Sequence, residues 1–188
     1  MHIGIDSHSA EHEGEGNATY GRNLISALFA AAGEEDFVLF AANPEHPFYR
    51  ALPPRGRSRT IRVGQGRGIA RLAWTLSRAA SRQGVDCLHV QYAAPLRYRG
   101  PIVLTVHDLG FLHVPDSFPL GLRLALRVLV SRSIAQARRI ITVSEFARRD
   151  IVTRYSVHPD KVVSIPLAAG AGFHPHDSEK TAQALARY

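Results

Sequence analysis

The chain has 188 residues, 45% of them hydrophobic and 21% charged. That balance excludes a disordered or collagen-like chain, and the length buries a core without covalent staples. Cys87 is the single cysteine, so no internal disulfide forms and a reducing compartment is expected; the net charge of +7, nearly all arginine, points to anionic partners of some kind.

Short, mostly apolar runs over residues 3–6, 37–41, 60–63, 87–90, 102–106, 140–143 and 162–165 read as buried parallel strands. The first ends in Asp6-Ser7-His8. A glycine-rich turn follows, Gly14-Glu-Gly16-Asn17-Ala-Thr-Tyr20-Gly21, leading into a helix over 20–32 that Gly33 stops. Small residues let backbone amides approach a phosphate, and a helix N-terminus adds positive potential. The spacing matches neither G-x-G-x-x-G nor a P-loop. The second strand ends at Asn43 with no acid to hold a ribose, which disfavours a NAD or FAD domain. A plain strand–helix connection capped by Asn17 or Thr19 fits the same spacing.

Residues 53–59 and 64–68 read as loops. Arg55, Arg57, Arg59 and Arg62 lack interleaved aromatics, so they read as a solvated face, not a nucleic-acid patch. A helix over 69–83 carries Leu72, Trp74 and Leu76 and stops at Gly84. Cys87 lies inside the fourth strand and reads as core. Gln91-Tyr92 follows that strand; Tyr92 suits stacking on a ring, or packs as an ordinary rim aromatic.

The fifth strand delivers His107 and Asp108 where it stops. Ligands of open α/β sheets bind beyond the carboxyl ends of the strands, which makes His107 the candidate catalytic residue. A neutral imidazole donates to developing negative charge, and a protonated one pairs with phosphate. Asp108 suits a sugar hydroxyl. The alternative is a satisfied histidine under a loop, with Asp108 capping a turn.

Pro119 opens a helix to about 138, with Leu122, Leu126, Leu129 and Val130 on one side and Leu124 and Val128 on the other. A helix apolar nearly all round is normally sandwiched in a core or an interface, and packing on the sheet is favoured over a membrane surface. Ser144 caps a helix over 145–155 and stands outside any G-x-S-x-G elbow. His107 with His113, and His174-Pro-His176-Asp177, lack metal-ligand spacing, so no metal is expected. Residues 1–170 read as one domain and 171–188 as a linker. Strand–helix alternation gives the fold class: α/β, a Rossmann-like doubly wound parallel sheet of about seven strands flanked by helices.

Several segments together carry a resemblance: residues 14–28, Thr105-Val-His107-Asp108-Leu-Gly-Phe111 with Pro115, and the run 140–151 continuing through Tyr155, Pro159, Val162 and Pro166. They resemble the N-terminal, acceptor-side half of a GT-B glycosyltransferase of family 4, over most of the chain. The run 140–166 is the most specific part. The resemblance implies that Gly16, with Gly14 and Asn17 beside it, approaches the donor diphosphate. It places His107 near the transferred sugar, with Tyr92, Asp108 and Ser144 binding substrate. It further implies a retaining transfer from a nucleotide-sugar co-substrate, with no cofactor and no metal in the cleft, to a glycan or lipid-linked acceptor. A C-terminal nucleotide-sugar-binding domain is implied as partner, without which the chain is expected to be inactive. Glu15 separates Gly14 from Gly16 where relatives often have adjacent glycines, and Leu167-Ala-Ala stands where many have Asn-Gly. The rivals are a non-catalytic α/β binding module for a phosphorylated or glycan ligand, and a peripheral domain on an anionic membrane. No signal peptide is read at the start, so the expected location is cytoplasmic, at or near the inner membrane face. A nucleic-acid partner is not expected.

Overall fold

The computed structural model describes residues 1–54, 56–64, 71–170 and 185–186. In chain order the strands are β1 (His2–Asp6), β2 (Asp36–Ala41), β3 (Arg59–Arg62), β4 (Cys87–Gln91), β5 (Ile102–Thr105), β6 (Arg139–Thr142) and β7 (Val162–Ser164). The helices are α1 (Gly16–Ala31), α2 (Pro47–Arg50), α3 (Leu76–Gln83), α4 (Gly110–His113), α5 (Leu120–Gln136) and α6 (Glu145–Tyr155). The 7-stranded sheet has the order β3-β2-β1-β4-β5-β6-β7, and all its pairs are parallel.

Successive side chains of a strand point to opposite faces, and β2 shows the result. Phe37, Leu39 and Ala41 join a core with Ile5, Ile25, Phe29 and Tyr49. Val38 and Phe40 join a larger one with Leu76, Leu88, Leu104, Val130, Ile140 and Ile151. Both faces are covered, which is why the strands read as continuous apolar runs. Right-handed crossovers put α1 and α2 on one face, where the chain steps toward β3, and α3, α5 and α6 on the other, where it steps toward β7. In the middle of β1, a Cβ on Gly4 would lie 2.8 Å from Phe40 Cε2 and 3.1 Å from Leu88 Cδ1. The larger core closes on this strand only because residue 4 has no side chain.

Three expectations need correction. First, the glycine-rich turn is already helical. Helix α1 begins at Gly16, four residues before the expected start, and Glu15 rather than Asn17 or Thr19 is its N-cap residue, without a side-chain cap bond. Glycine and asparagine are poor helix formers, so nothing local marks this first turn as helical. Second, the expected helix over 69–83 is a single π-type turn, Arg71–Thr75, followed by the short α3. Trp74 is 57% exposed, with the Arg97 guanidinium 3.6 Å from its ring centroid. Third, α5 is packed on one side only. Val130 and Ile134 are buried, whereas Leu120, Leu124 and Val128 are 61%, 50% and 67% exposed. Arg55, most of the loop at 64–68, the start of the expected 69–83 helix, and the 171–188 linker with His174, His176 and Asp177 lie outside the described residues or almost wholly so. Among the described residues, no helix is long and apolar enough to cross a membrane.

Candidate active site

Strand order places the site. From β1 the chain winds outward through β2 and β3; from β4 it winds the other way through β5 to β7. The crevice outside the carboxyl ends of β1 and β4 is therefore the switch point where such sheets bind ligands. Asp6 ends β1, Gln91 ends β4, and the loop carrying His107 and Asp108 leaves β5 beside them.

His107 is half-buried and held on several sides. Its Nε2 lies 3.0 Å from Gln91 Oε1. The Tyr20 ring, from α1, meets it edge-on with centroids 4.5 Å apart, and the Tyr92 ring tilts against it at 5.5 Å. Its backbone carbonyl accepts from Thr142 Oγ1 at the end of β6. Burial lowers the imidazole below its ordinary pKa, and the nearby Asp108 charge only partly opposes this. Both the burial and the direction of the shift favour the neutral ring.

Asp108 is exposed and does two things. One oxygen accepts from the Gly110 backbone N–H at 2.7 Å, and the other lies 3.5 Å from the Tyr92 hydroxyl. Capping of a turn and presentation of a carboxylate are therefore not exclusive here. Tyr92 has φ 55, the left-handed region that a non-glycine residue enters at a cost of about 1–2 kcal/mol. Its N–H bonds the Thr105 carbonyl at 2.8 Å, and this conformation turns the ring toward His107. Burial raises the Tyr92 phenol well above its ordinary range, and the adjacent Asp108 charge adds to the effect, so the phenol is a hydrogen-bond donor.

Gly14, Gly16 and Asn17 stand exposed at the start of α1, with open space where Cβ atoms of the two glycines would lie. No acidic residue occupies the first turn of α1, although its N-cap is Glu15, whose carboxylate lies 3.2 Å from His12 Nδ1. Ser144 lies at the end of β6, but its hydroxyl accepts from Ala147 N–H at 3.1 Å and caps α6. Of the residues expected from sequence, His107, Tyr92 and Asp108 are in mutual contact. The α1 residue that reaches His107 is Tyr20, not a glycine.

Sequence reasoning missed the support beneath these residues. Thr105 Oγ1 is 2.8 Å from Nε2 of the buried His89 and 3.1 Å from the Tyr20 hydroxyl. Gln91 Nε2 donates to Ser9 Oγ at 3.1 Å. Asp6 forms a buried, two-pronged ion pair with Arg71 and also meets His8 Nδ1 at 3.1 Å. Burial by itself would raise the Asp6 carboxyl, but His8 and Arg71 together outweigh it and hold the group far below the usual carboxylate range. The segment after β1 is tied down too. Glu11 accepts from the N–H groups of Ala42 and Asn43 at 2.7 and 2.9 Å and from the Tyr49 hydroxyl at 3.1 Å. The available signal was a polar residue ending an apolar strand, as Asp6 and Gln91 do. Among the described residues, no group of three or more His, Cys, Asp or Glu side chains is placed to hold a metal ion.

The sequence profile of Glycosyltransferase Family 4 matches residues 15–168. O-antigen chain mannosyltransferase B of Escherichia coli is 26% identical over 86 residues, which are 46% of this chain and 23% of that protein. The match thus spans less than a quarter of that curated relative. Sucrose-phosphate synthase from Thermosynechococcus elongatus superposes with a TM-score of 0.54 at 16% identity, over 100% of this chain and 96% of that one. UDP-GlcNAc 2-epimerase from Methanocaldococcus jannaschii gives a TM-score of 0.55 at 13% identity, over 88% of this chain and 45% of that one. At these identities the two structures speak for the fold alone.

Proposed function

Because the chain belongs to Glycosyltransferase Family 4, we propose that it forms the acceptor-side half of a retaining enzyme that moves a hexose from a nucleotide-sugar to a glycan or lipid-linked acceptor. The observation that carries this reading is the gathering of His107, Asp108, Tyr92 and Tyr20 at the switch point. In this reading the α1 amides at Gly16 and Asn17 receive the donor diphosphate. Asp108 and the Tyr92 hydroxyl hydrogen-bond sugar hydroxyls, and the neutral His107 contacts the transferred sugar. Ser144 acts through α6 rather than on substrate. The donor half is assigned to a second domain with its own nucleotide site. Stabilising a departing diphosphate needs groups on both sides of the cleaved bond, so the 188 residues by themselves are expected to transfer nothing.

The test is transfer from radiolabelled nucleoside-diphosphate hexoses to a glycolipid extract by the full gene product and its His107→Ala variant. The variant is expected to lose at least ~10²-fold in turnover, the low end for a positioned catalytic group. Near-native turnover would remove His107 from the chemistry, and absence of transfer to any acceptor would favour a binding module.

A second reading, contact with an anionic membrane, is favoured by α5. Leu120, Leu124 and Val128 form one exposed stripe, Arg127 is exposed beside it, and Val114 and Phe146 are exposed large hydrophobic residues as well. Such a surface would bring the cleft to a lipid-linked acceptor. Cosedimentation with anionic vesicles that disappears in neutral vesicles and weakens with salt supports it; equal binding to both removes it.

A further inference from the structure

We infer that Gln91 is a positioning residue whose side-chain carbonyl holds the proton of His107 on Nε2, leaving Nδ1 to meet substrate as a hydrogen-bond acceptor. The inference rests on the reading that His107 faces the reacting sugar. The geometry is a short relay. Ser9 Oγ accepts from Gln91 Nε2 at 3.1 Å, which turns the other end of the carboxamide, Oε1, toward His107 Nε2 at 3.0 Å. A carbonyl oxygen only accepts, so the ring nitrogen facing it must carry hydrogen. In a neutral imidazole the second nitrogen then holds a lone pair.

The relay is built on fixed parts. Gln91 ends β4, and its backbone is in register with Thr105 of β5. Ser9 belongs to the short helix His8–Glu11, which Glu11 ties to the end of β2 and Arg22 grips through the Ala10 carbonyl at 2.7 Å. Helix α1 passes close above the pair: a Cβ at Gly21 would lie 3.4 Å from both Gln91 Nε2 and Ser9 Oγ. Tyr20 and Tyr92 flank the imidazole and limit its rotation. Nδ1 has no protein partner among the described residues and is not among the buried atoms that lack one.

The consequence concerns ligand class. A lone pair repels a phosphate oxygen and attracts a hydroxyl. Nδ1 is therefore matched to a sugar hydroxyl, while the anionic part of the donor is matched to the N-terminus of α1. The titratable groups around the ring are Tyr20 from α1, His89 from β4, Tyr92 after β4 and Asp108 from its own loop.

The experiment is a long-range proton–nitrogen correlation spectrum of the uniformly 15N-labelled chain, without substrate, the His107 signals being assigned by loss in His107→Gln. At pH 7.5 the expected pattern is a protonated Nε2 and an unprotonated Nδ1. A proton on Nδ1, or an even mixture, overturns the inference using the unmodified protein alone. Gln91→Glu keeps an acceptor and adds charge, so it is expected to retain the pattern and raise the His107 titration midpoint by about 1 unit or more; an unmoved midpoint overturns it. Gln91→Met, which removes the acceptor, is expected to let the two protonation isomers mix; an unchanged spectrum counts against the role. None of these readouts involves sugar transfer. An active His107→Ala enzyme would therefore end the catalytic reading and leave the relay intact, and the reverse also holds.

Discussion

Asp6→Asn tests the architecture under the site. The substitution keeps the shape of the side chain and removes its charge. Asp6 and Arg71 are each only 5% exposed at the side chain and pair through two N–H···O contacts, one of 3.0 Å. The guanidinium left behind has little to fall back on, since its Nε already lacks a partner. Breaking one side of such a buried pair costs about 3–5 kcal/mol, because an uncompensated charge stays buried. Arg71 lies in a single turn ahead of α3 and can swing toward water by unwinding it, so a value near 3 kcal/mol is expected. That is a large share of the roughly 5–15 kcal/mol that holds a domain folded. Urea unfolding followed by circular dichroism should show the midpoint falling with little change in slope. The double variant Asp6→Leu with Arg71→Met removes both charges and should recover at least half of the loss. A single variant within ~1 kcal/mol of the parent, or a double variant as unstable as the two singles summed, would refute the reasoning.

Acid should act through His89 before Asp6. Burial pushes the His89 imidazole down to about 4 from 6.5, so between these pH values only the unfolded chain takes up the proton. Stability is then full above pH ~6.5 and falls by up to about 3 kcal/mol on the way to pH 4; His89→Gln should flatten that slope in unfolding measurements across pH. The lowered Asp6 carboxyl works at still lower pH, its contribution being full above the unfolded value of ~3.9 and lost as pH falls through the folded one. Gly4→Ala should cost about 1–3 kcal/mol in urea unfolding, because its methyl meets Phe40, Leu88 and Val85 within 3.2 Å; a neutral result would mean the larger core yields easily. Ser144→Ala removes the acceptor for Ala147 N–H and should cost about 0.5–2 kcal/mol, read as a lower thermal midpoint.

The sheet was legible because parallel strands buried on both faces advertise themselves. Phe37 to Ala41 and Ile102 to Leu104 can be little else, and parallel strands joined by crossovers leave few topologies. The strand ends were legible for the same reason, which is why His107, Asp108 and Tyr92 could be expected at one edge of the sheet. What stayed hidden depends on distant pairs. The Asp6–Arg71 bond spans 65 positions, and Gln91 meets Ser9 across 82. No local pattern encodes such meetings. Tyr20 stands in the sequence only as the end of the glycine-rich turn and the start of a helix, and nothing local marks it as a neighbour of residue 107. The outer stripe of α5 was misread for a different reason: hydrophobic residues report a preference for shelter without saying whether the shelter lies within the same chain.

Glu11 sits nowhere near the top of a list of chemical groups, yet its two oxygens staple the bend after β1 to the end of β2. One carboxylate therefore takes up backbone donors that would otherwise wait for water or a ligand. The bend is therefore ordered by folding itself; if the switch point takes a ligand as proposed, that ligand loses less freedom in docking.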